Sequence, residues 1–212
     1  MARVLVLDVD GTLVDSNYQH VIAWQRAFRN HGVDADAWKI HRYIGKGGDQ
    51  MVESVAGAEA ERRCGDGVRA SESEIFKQLI GDVRPFRDAT SFVFEVADRG
   101  FEVVLASSAK SDEVDHYLGL LRVGDAISGH TTSADVEATK PHPDLVEAAI
   151  EKAGSGDALM IGDSIWDVEA AQRIGVPSLA VLTGGFSKRE LEAAGASEVR
   201  PQLADLLECL PA

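Results

Sequence analysis

The chain has 212 residues, 45% of them hydrophobic and 26% charged, which is enough for one buried core with a smaller satellite. Its 35 acidic against 21 basic residues give a net charge of −14, which excludes phosphate backbones and anionic membranes as natural partners; a local basic spot can still take a small anion. Cys64 and Cys209 are too few for a disulfide framework or a zinc site, and no apolar run has the length of a signal peptide or membrane span; the expectation is a cytoplasmic protein.

In chain order, the first element is "RVLVLD" (3–8), four apolar residues ending in Asp8 and read as a buried strand. Residues 16–82 break the strand rhythm. They carry helical patterns, with Val21, Trp24 and Phe28 on one face, and close at "GDVRPFRDA" (81–89), where Pro85 suits a hinge. Within this stretch Trp38 and Tyr43 are read as core, and the charge run at 58–74 as a solvated face. From there strands and helices alternate. "TSFVFEVADRG" (90–100) reads as a helix before the strand "FEVVLASS" (101–108), and "SDEVDHYLGLL" (111–121) as a helix with Ser111 at its N-cap. "DAISGHTT" (125–132) is a weaker strand. The helix "HPDLVEAAIEKAG" (142–154) leads to the strand "DALMIGDS" (157–164), and "SIWDVEAAQRIG" (164–175) to "PSLAVLTGG" (177–185). The tail, 187–210, reads as two amphipathic helices. This alternation predicts an α/β fold: a doubly wound, Rossmann-like parallel sheet formed by 1–15 and 83–212, with a helical domain of 16–82 inserted after the first strand.

Open parallel sheets bind ligands beyond the C-terminal ends of their strands. Those ends here read Asp8-Val9-Asp10, Ser107-Ser108 and Gly162-Asp163-Ser164, joined by Lys140 in "TKPHPD" (139–144). Asp8 and Asp10, two residues apart on an extended backbone, project to one face. Two carboxylates about 4 Å apart repel by about 4 kcal/mol at an effective dielectric of about 20, before Asp163 and Asp167 are added. That repulsion calls for a cation, and an oxygen-only ligand set suits Mg²⁺. With Lys140 and serine hydroxyls nearby, the constellation fits phosphoryl transfer.

Two other readings of these stretches fail on spacing. A calcium loop at Asp8–Asp15 requires glycine at its sixth position and a carboxylate at its twelfth, whereas Gly11 is fourth from Asp8 and Gln19 is twelfth. "GKGGDQ" (45–50) is no P-loop, since Ile40 and Gly47 stand where the motif needs glycine and a hydroxyl residue; a loop facing the substrate fits it better. His20 is either a packing histidine or a substrate-side one, Lys46 either solvated or a substrate contact. Asp15 and Ser16 carry no assigned role.

The run Asp8-Val9-Asp10-Gly11-Thr12-Leu13-Val14-Asp15-Ser16 resembles the first motif of the haloacid dehalogenase superfamily; Ser107, Lys140 and Gly162-Asp163-Ser164 with Asp167 match its second, third and fourth, in order. The resemblance implies Asp8 as nucleophile and metal ligand, and Asp10 as general acid/base with its carbonyl on the metal. Ser107 would hold the phosphoryl group, Lys140 would balance charge, and Asp163 and Asp167 would complete the Mg²⁺ site. Ser108, His20 and Lys46 are candidate substrate contacts, with Lys46 displaced from the family's lysine position, and the resemblance implies 16–82 as a helical cap of the C1 type. An aspartate at position 10 favours a phosphatase or phosphomutase over a dehalogenase. His20-x-x-x-Trp24 resembles the β-phosphoglucomutase-like branch, yet Ile44 and Gly48 stand where the mutases carry lysine and arginine. The expectation is therefore a Mg²⁺-dependent phosphatase of small phosphorylated metabolites, monomeric by default. A phosphomutase is the alternative within the family, and a non-catalytic phospho-accepting module the alternative outside it.

Overall fold

The computed structural model describes residues 3–154 and 156–210. Its centre is a six-stranded parallel sheet. The first strand, β1 (Arg3–Leu7), lies in the middle because its alternate side chains are buried on both faces: Leu5 and Leu7 in one apolar cluster, Val4 and Val6 in another. The chain then turns through a tight loop into β2 (Val14–Asp15) and a helical insert of α1 (Asn17–Asn30), α2 (Ala37–His41) and α3 (Gly48–Leu79). It returns through β3 (Arg84–Pro85), which pairs antiparallel with β2, so the two connections to the insert run side by side.

The rest of the chain alternates: α4 (Ala89–Asp98), β4 (Phe101–Ala106), α5 (Ser111–Leu121), β5 (Gly129–Thr131), α6 (Asp144–Lys152), β6 (Asp157–Gly162), α7 (Ile165–Arg173), β7 (Ser178–Val181), α8 (Lys188–Ala194) and β8 (Glu198–Arg200). The sheet order β5-β4-β1-β6-β7-β8 changes direction around β1, which makes the C-terminal end of β1 a switch point. Register places Leu7 beside Leu105 on one side and Ile161 on the other, so the ends of β1, β4 and β6 lie level. Asp8, Ser107 and Asp163 follow at that edge.

The insert has an apolar centre of its own. Val21, Trp24 and Phe28 of α1 pack with Ile40, Met51, Val52 and Val68. α3 is broken at Gly57, whose φ of 86° lies in the left-handed region that side chains disfavour. Among the described residues, no helix is long and apolar enough to cross a membrane.

Four local expectations are corrected. The tail forms one helix, the edge strand β8 and a short 3₁₀ turn at Leu203–Leu206, because only Val199 of the middle segment reaches the core. α5 begins at Ser111 with Lys110 at the cap position. Trp38 is not core: it is 68% exposed on the short α2. The charge run at 58–74 is not all solvated, since Glu72 and Ser73 are buried against the site.

Candidate active site

The turn after β1 is built to aim carboxylates. The amides of Leu13 and Val14 donate to the Val9 carbonyl, folding 9–14 into a compact loop over the strand end. Gly11 sits at φ 82°, and a Cβ there would lie 2.2 Å from Asp163 Oδ2. Glycine is thus required twice, for the backbone turn and for the approach of Asp163.

Asp8 is 6% exposed. Its Oδ1 accepts a very short hydrogen bond from Lys140 Nζ, while its buried Oδ2 has no hydrogen-bond partner among the described residues. Lys140, 1% exposed, also donates to the Ala106 carbonyl at 2.9 Å and pairs with Asp167 Oδ1 at 2.7 Å. Burial disfavours the Lys140 charge, but Asp167 and Asp8 outweigh it and hold the ammonium protonated. Burial pushes the Asp8 carboxyl up to about 7, against the pull of Lys140 and with the repulsion of Asp167. Asp163 is raised as well, by burial and by the charges of Asp8 and Asp167.

Oxygens of Asp8, Asp163 and Asp167 lie within 4.8 Å of one another, all three residues buried. Three crowded carboxylates share one lysine, and among the described residues Asp8 Oδ2 and Asp167 Oδ1 accept no hydrogen bond, the latter being ion-paired with Lys140. The donor set is hard and oxygen-only, so these residues fit a small divalent cation. Asp10 is not in that group. Its carboxylate turns to Ser16 Oγ at 2.5 Å, Ser107 Oγ at 3.3 Å and His20 Nε2 at 3.3 Å. Burial would raise the Asp10 carboxyl, but the hydrogen bond and charge of His20 and the Ser16 hydroxyl hold it below the usual range. His20 stacks on Phe76 and reaches Glu72 Oε1 at 3.3 Å through Nδ1. Desolvation opposes its charge, yet Asp10 and Glu72 raise its pKa to about 10.

A cavity of about 430 Å³ opens in front of Asp8 and Asp10. Ser108 and Lys110 line its sheet side; His20, Trp24, Lys46 and Glu72 line it from the insert. The expected site residues therefore converge on one end of the sheet, with a division among them. Ser107 is fully buried, donating to Asp10 and accepting from the Ala109 amide, whereas Ser108 faces the cavity with a buried, unpartnered hydroxyl. Lys46 stands 4.4 Å over the Trp166 ring and donates to Ser54.

Several supporting residues escaped the sequence reading. Thr12 Oγ1 and Asn17 Nδ2 donate to the two oxygens of Asp163, at 3.2 and 3.0 Å. Ser164 Oγ donates to Asp167 Oδ2 at 2.6 Å in a capping box at the start of α7, and Ser-x-x-Asp before a helix was a readable signal for it. Glu72, 52 residues from His20 along the chain, left no local trace.

A family model for haloacid dehalogenase-like hydrolases matches residues 5–181. A phosphoglycolate phosphatase of Yersinia pseudotuberculosis is 30% identical over 220 residues, spanning 98% of this chain and 93% of that one. Pyrophosphatase PpaX of Oceanobacillus iheyensis is 24% identical over 84% of this chain and 83% of its own. The crystal structure of a hydrolase from Pseudomonas syringae matches with a TM-score of 0.89 at 31% identity, covering 98% and 97% of the two chains. With its switch-point carboxylates, buried lysine and these matches along nearly its whole length, the chain belongs to the haloacid dehalogenase-like hydrolase family, as an enzyme of its phosphatase-like branch.

Proposed function

We propose that the protein is a Mg²⁺-dependent phosphatase of small phosphorylated metabolites that works through a phosphorylated Asp8. The observation that carries this reading is the Asp8 carboxylate itself: one oxygen is tied to Lys140, and the other is buried without a donor beside a cavity of about 430 Å³. A nucleophile held in this way has one free oxygen for in-line attack and a fixed orientation. Asp8, Asp163 and Asp167, with the Asp10 carbonyl, would hold Mg²⁺, which supplies Lewis-acid polarisation of the phosphoryl oxygens and offsets carboxylate charge.

In the first step the Asp8 oxygen bonds to phosphorus as the ester P–O bond breaks, and the departing oxygen takes a proton from Asp10. In the second, Asp10 takes a proton from water as the water oxygen bonds to phosphorus. The Asp8 O–P bond then breaks, releasing inorganic phosphate and restoring the carboxylate. In the free site Asp10 is ionised and His20 charged, so the pair carries one proton across a 3.3 Å contact. A phosphoryl dianion arriving beside Asp10 raises its proton affinity and draws that proton onto the carboxylate. Lys140 holds Asp8 and meets the growing phosphoryl charge, and the Ser108 hydroxyl is free to donate to it. The insert, as a cap, would close the cavity to bulk water and present His20, Trp24 and Lys46 to the leaving group.

Turnover of p-nitrophenyl phosphate with Mg²⁺ tests the reading, followed by a panel of phosphometabolites that includes phosphoglycolate and hexose phosphates. Turnover by a folded Asp8→Asn variant at the wild-type rate would remove Asp8 from its role. Conversion of a sugar 1-phosphate to its 6-phosphate would instead place the enzyme with the mutases.

A further inference from the structure

Besides His20 on Asp10 and Asn17 on Asp163, the insert meets the sheet domain at the turn that carries Lys140. Gln50, in the first turn of α3, donates through Nε2 to two consecutive backbone carbonyls, those of Thr139 at 2.9 Å and Lys140 at 3.2 Å. Beside it, Asp49 accepts a very short hydrogen bond from Thr139 Oγ1, and the Gly47 amide reaches the Lys140 carbonyl at 3.4 Å. A Cβ on Gly47 would lie 1.6 Å from Thr139 Oγ1, so the loop is shaped to admit this turn. Three neighbouring residues of the insert thus hold the two residues whose backbone carries the buried lysine.

We propose that Gln50 is a positioning residue for Lys140, so that docking of the insert completes the charge arrangement at Asp8; this rests on the reading of Asp8 and Lys140 above. Lys140 Nζ is fixed by three groups, through hydrogen bonds to Asp8 and the Ala106 carbonyl and an ion pair with Asp167. Its side chain has little slack to absorb a shift of its own backbone. The turn at 139–140 is not part of the sheet or of α6, and among the described residues the contacts that tie its carbonyls to the insert come from Gln50 and Gly47. When the insert is undocked, the Lys140 carbonyl loses its donors from Gln50 and Gly47, and the Thr139 carbonyl keeps only the His142 amide at 3.0 Å, so the backbone that carries the lysine is held less firmly. Gln50 thereby links closure over the substrate to the placement of charge at the nucleophile, although it lies outside the residues lining the cavity.

The test compares Gln50→Glu, which keeps the shape and removes the donor, with Gln50→Lys, which keeps an N–H donor. For p-nitrophenyl phosphate with Mg²⁺, Gln50→Glu is expected to lose about 10²-fold in kcat with KM nearly unchanged, the cost of an ångström-scale misplacement; Gln50→Lys should retain most of the wild-type kcat. Hydrogen exchange should quicken at 47–50 and 139–142 in Gln50→Glu while β1 and β4 keep their protection. A loss confined to KM would make Gln50 a mere closing contact, equal losses in both variants would make the effect structural, and unchanged exchange would deny the clamp; each overturns the proposal. If Gln50→Glu fails to fold, Thr139→Val, which removes the hydrogen bond to Asp49, is read by the same criteria. Absence of turnover in the wild-type protein would count against the phosphatase reading alone, leaving the exchange comparison to decide the clamp.

Discussion

Removing divalent cations should turn the buried Asp8 carboxylate into a liability for the fold, and replacing Asp8 with asparagine should relieve it. The Asp8 carboxyl is raised from 3.8 to about 7, chiefly by burial. The folded state therefore binds this proton more tightly than the unfolded chain. Its contribution is fully present below the unfolded pKa of 3.8 and is lost as pH rises to about 7. That rise corresponds to about 4 kcal/mol, about a quarter or more of the stability of an ordinary domain. The asparagine side chain carries no ionisation and escapes the loss. Because Asp8 also raises Asp163, the substitution relieves a second carboxylate, and the two effects share a sign. Urea unfolding in EDTA at a series of pH values gives the difference in stability between wild type and Asp8→Asn. The variant should gain on the wild type by about 4 kcal/mol between pH about 4 and about 8. Saturating Mg²⁺ should reverse the order at neutral pH, since a cation bound to the folded state alone stabilises it by mass action. Parallel stability curves in EDTA would mean that Asp8 is solvated rather than crowded.

Gly11→Ala forces either a strained φ of 82° or a displaced Asp163, whose Oδ2 lies 2.2 Å from the new Cβ. Activity should fall by about 10²-fold with a higher Mg²⁺ requirement, read from a Mg²⁺ titration of initial rates. Phe28→Ala empties the centre of the insert, where Phe28 is wholly buried against its own cluster. It should cost about 3–5 kcal/mol, measured by urea unfolding, and the peptides of α1 and α3 should exchange faster than those of β1 and β6.

The sheet and the meeting of Asp8, Ser107 and Asp163 at one edge were legible because each central strand is largely apolar and is followed by a carboxylate or a serine. Val4 to Leu7 can only be buried, and the side chain that follows must emerge at the strand's end. β8 was not legible for the opposite reason: it is a three-residue edge strand with one buried side chain, and "SEVRP" carries no period of its own. Trp38 shows the limit of reading aromatic residues as core, since a five-residue helix has too few positions to reveal which face is covered. The His20–Glu72 pair and the grip of Gln50 on the lysine turn were beyond reach. The first joins helices through residues 52 apart, and the second acts on backbone carbonyls that any sequence would present.

The charge of the whole chain bears on the order of binding. A protein at −14 that places three carboxylates around one lysine presents a repulsive field to a phosphate. At a contact distance of about 5 Å and an effective dielectric of about 20, each like charge costs about 3 kcal/mol, which exceeds what one free serine hydroxyl contributes through a hydrogen bond. The Lys140 charge is already engaged by Asp8 and Asp167, and Asp8 and the Ala106 carbonyl take two of its hydrogen bonds, so it offsets only part of the charge a phosphate brings. Lys46, Arg69 and Lys110 also line the cavity and attract an anion to it. Affinity for inorganic phosphate should therefore be conditional on the divalent cation: calorimetry with Mg²⁺ should give saturable binding, and the same titration in EDTA should give at least about 100-fold weaker binding, the factor that roughly 3 kcal/mol implies. Equal phosphate affinity in the two buffers would mean that the carboxylates are neutralised by protons alone, and that the crowding at Asp8 is relieved within the protein.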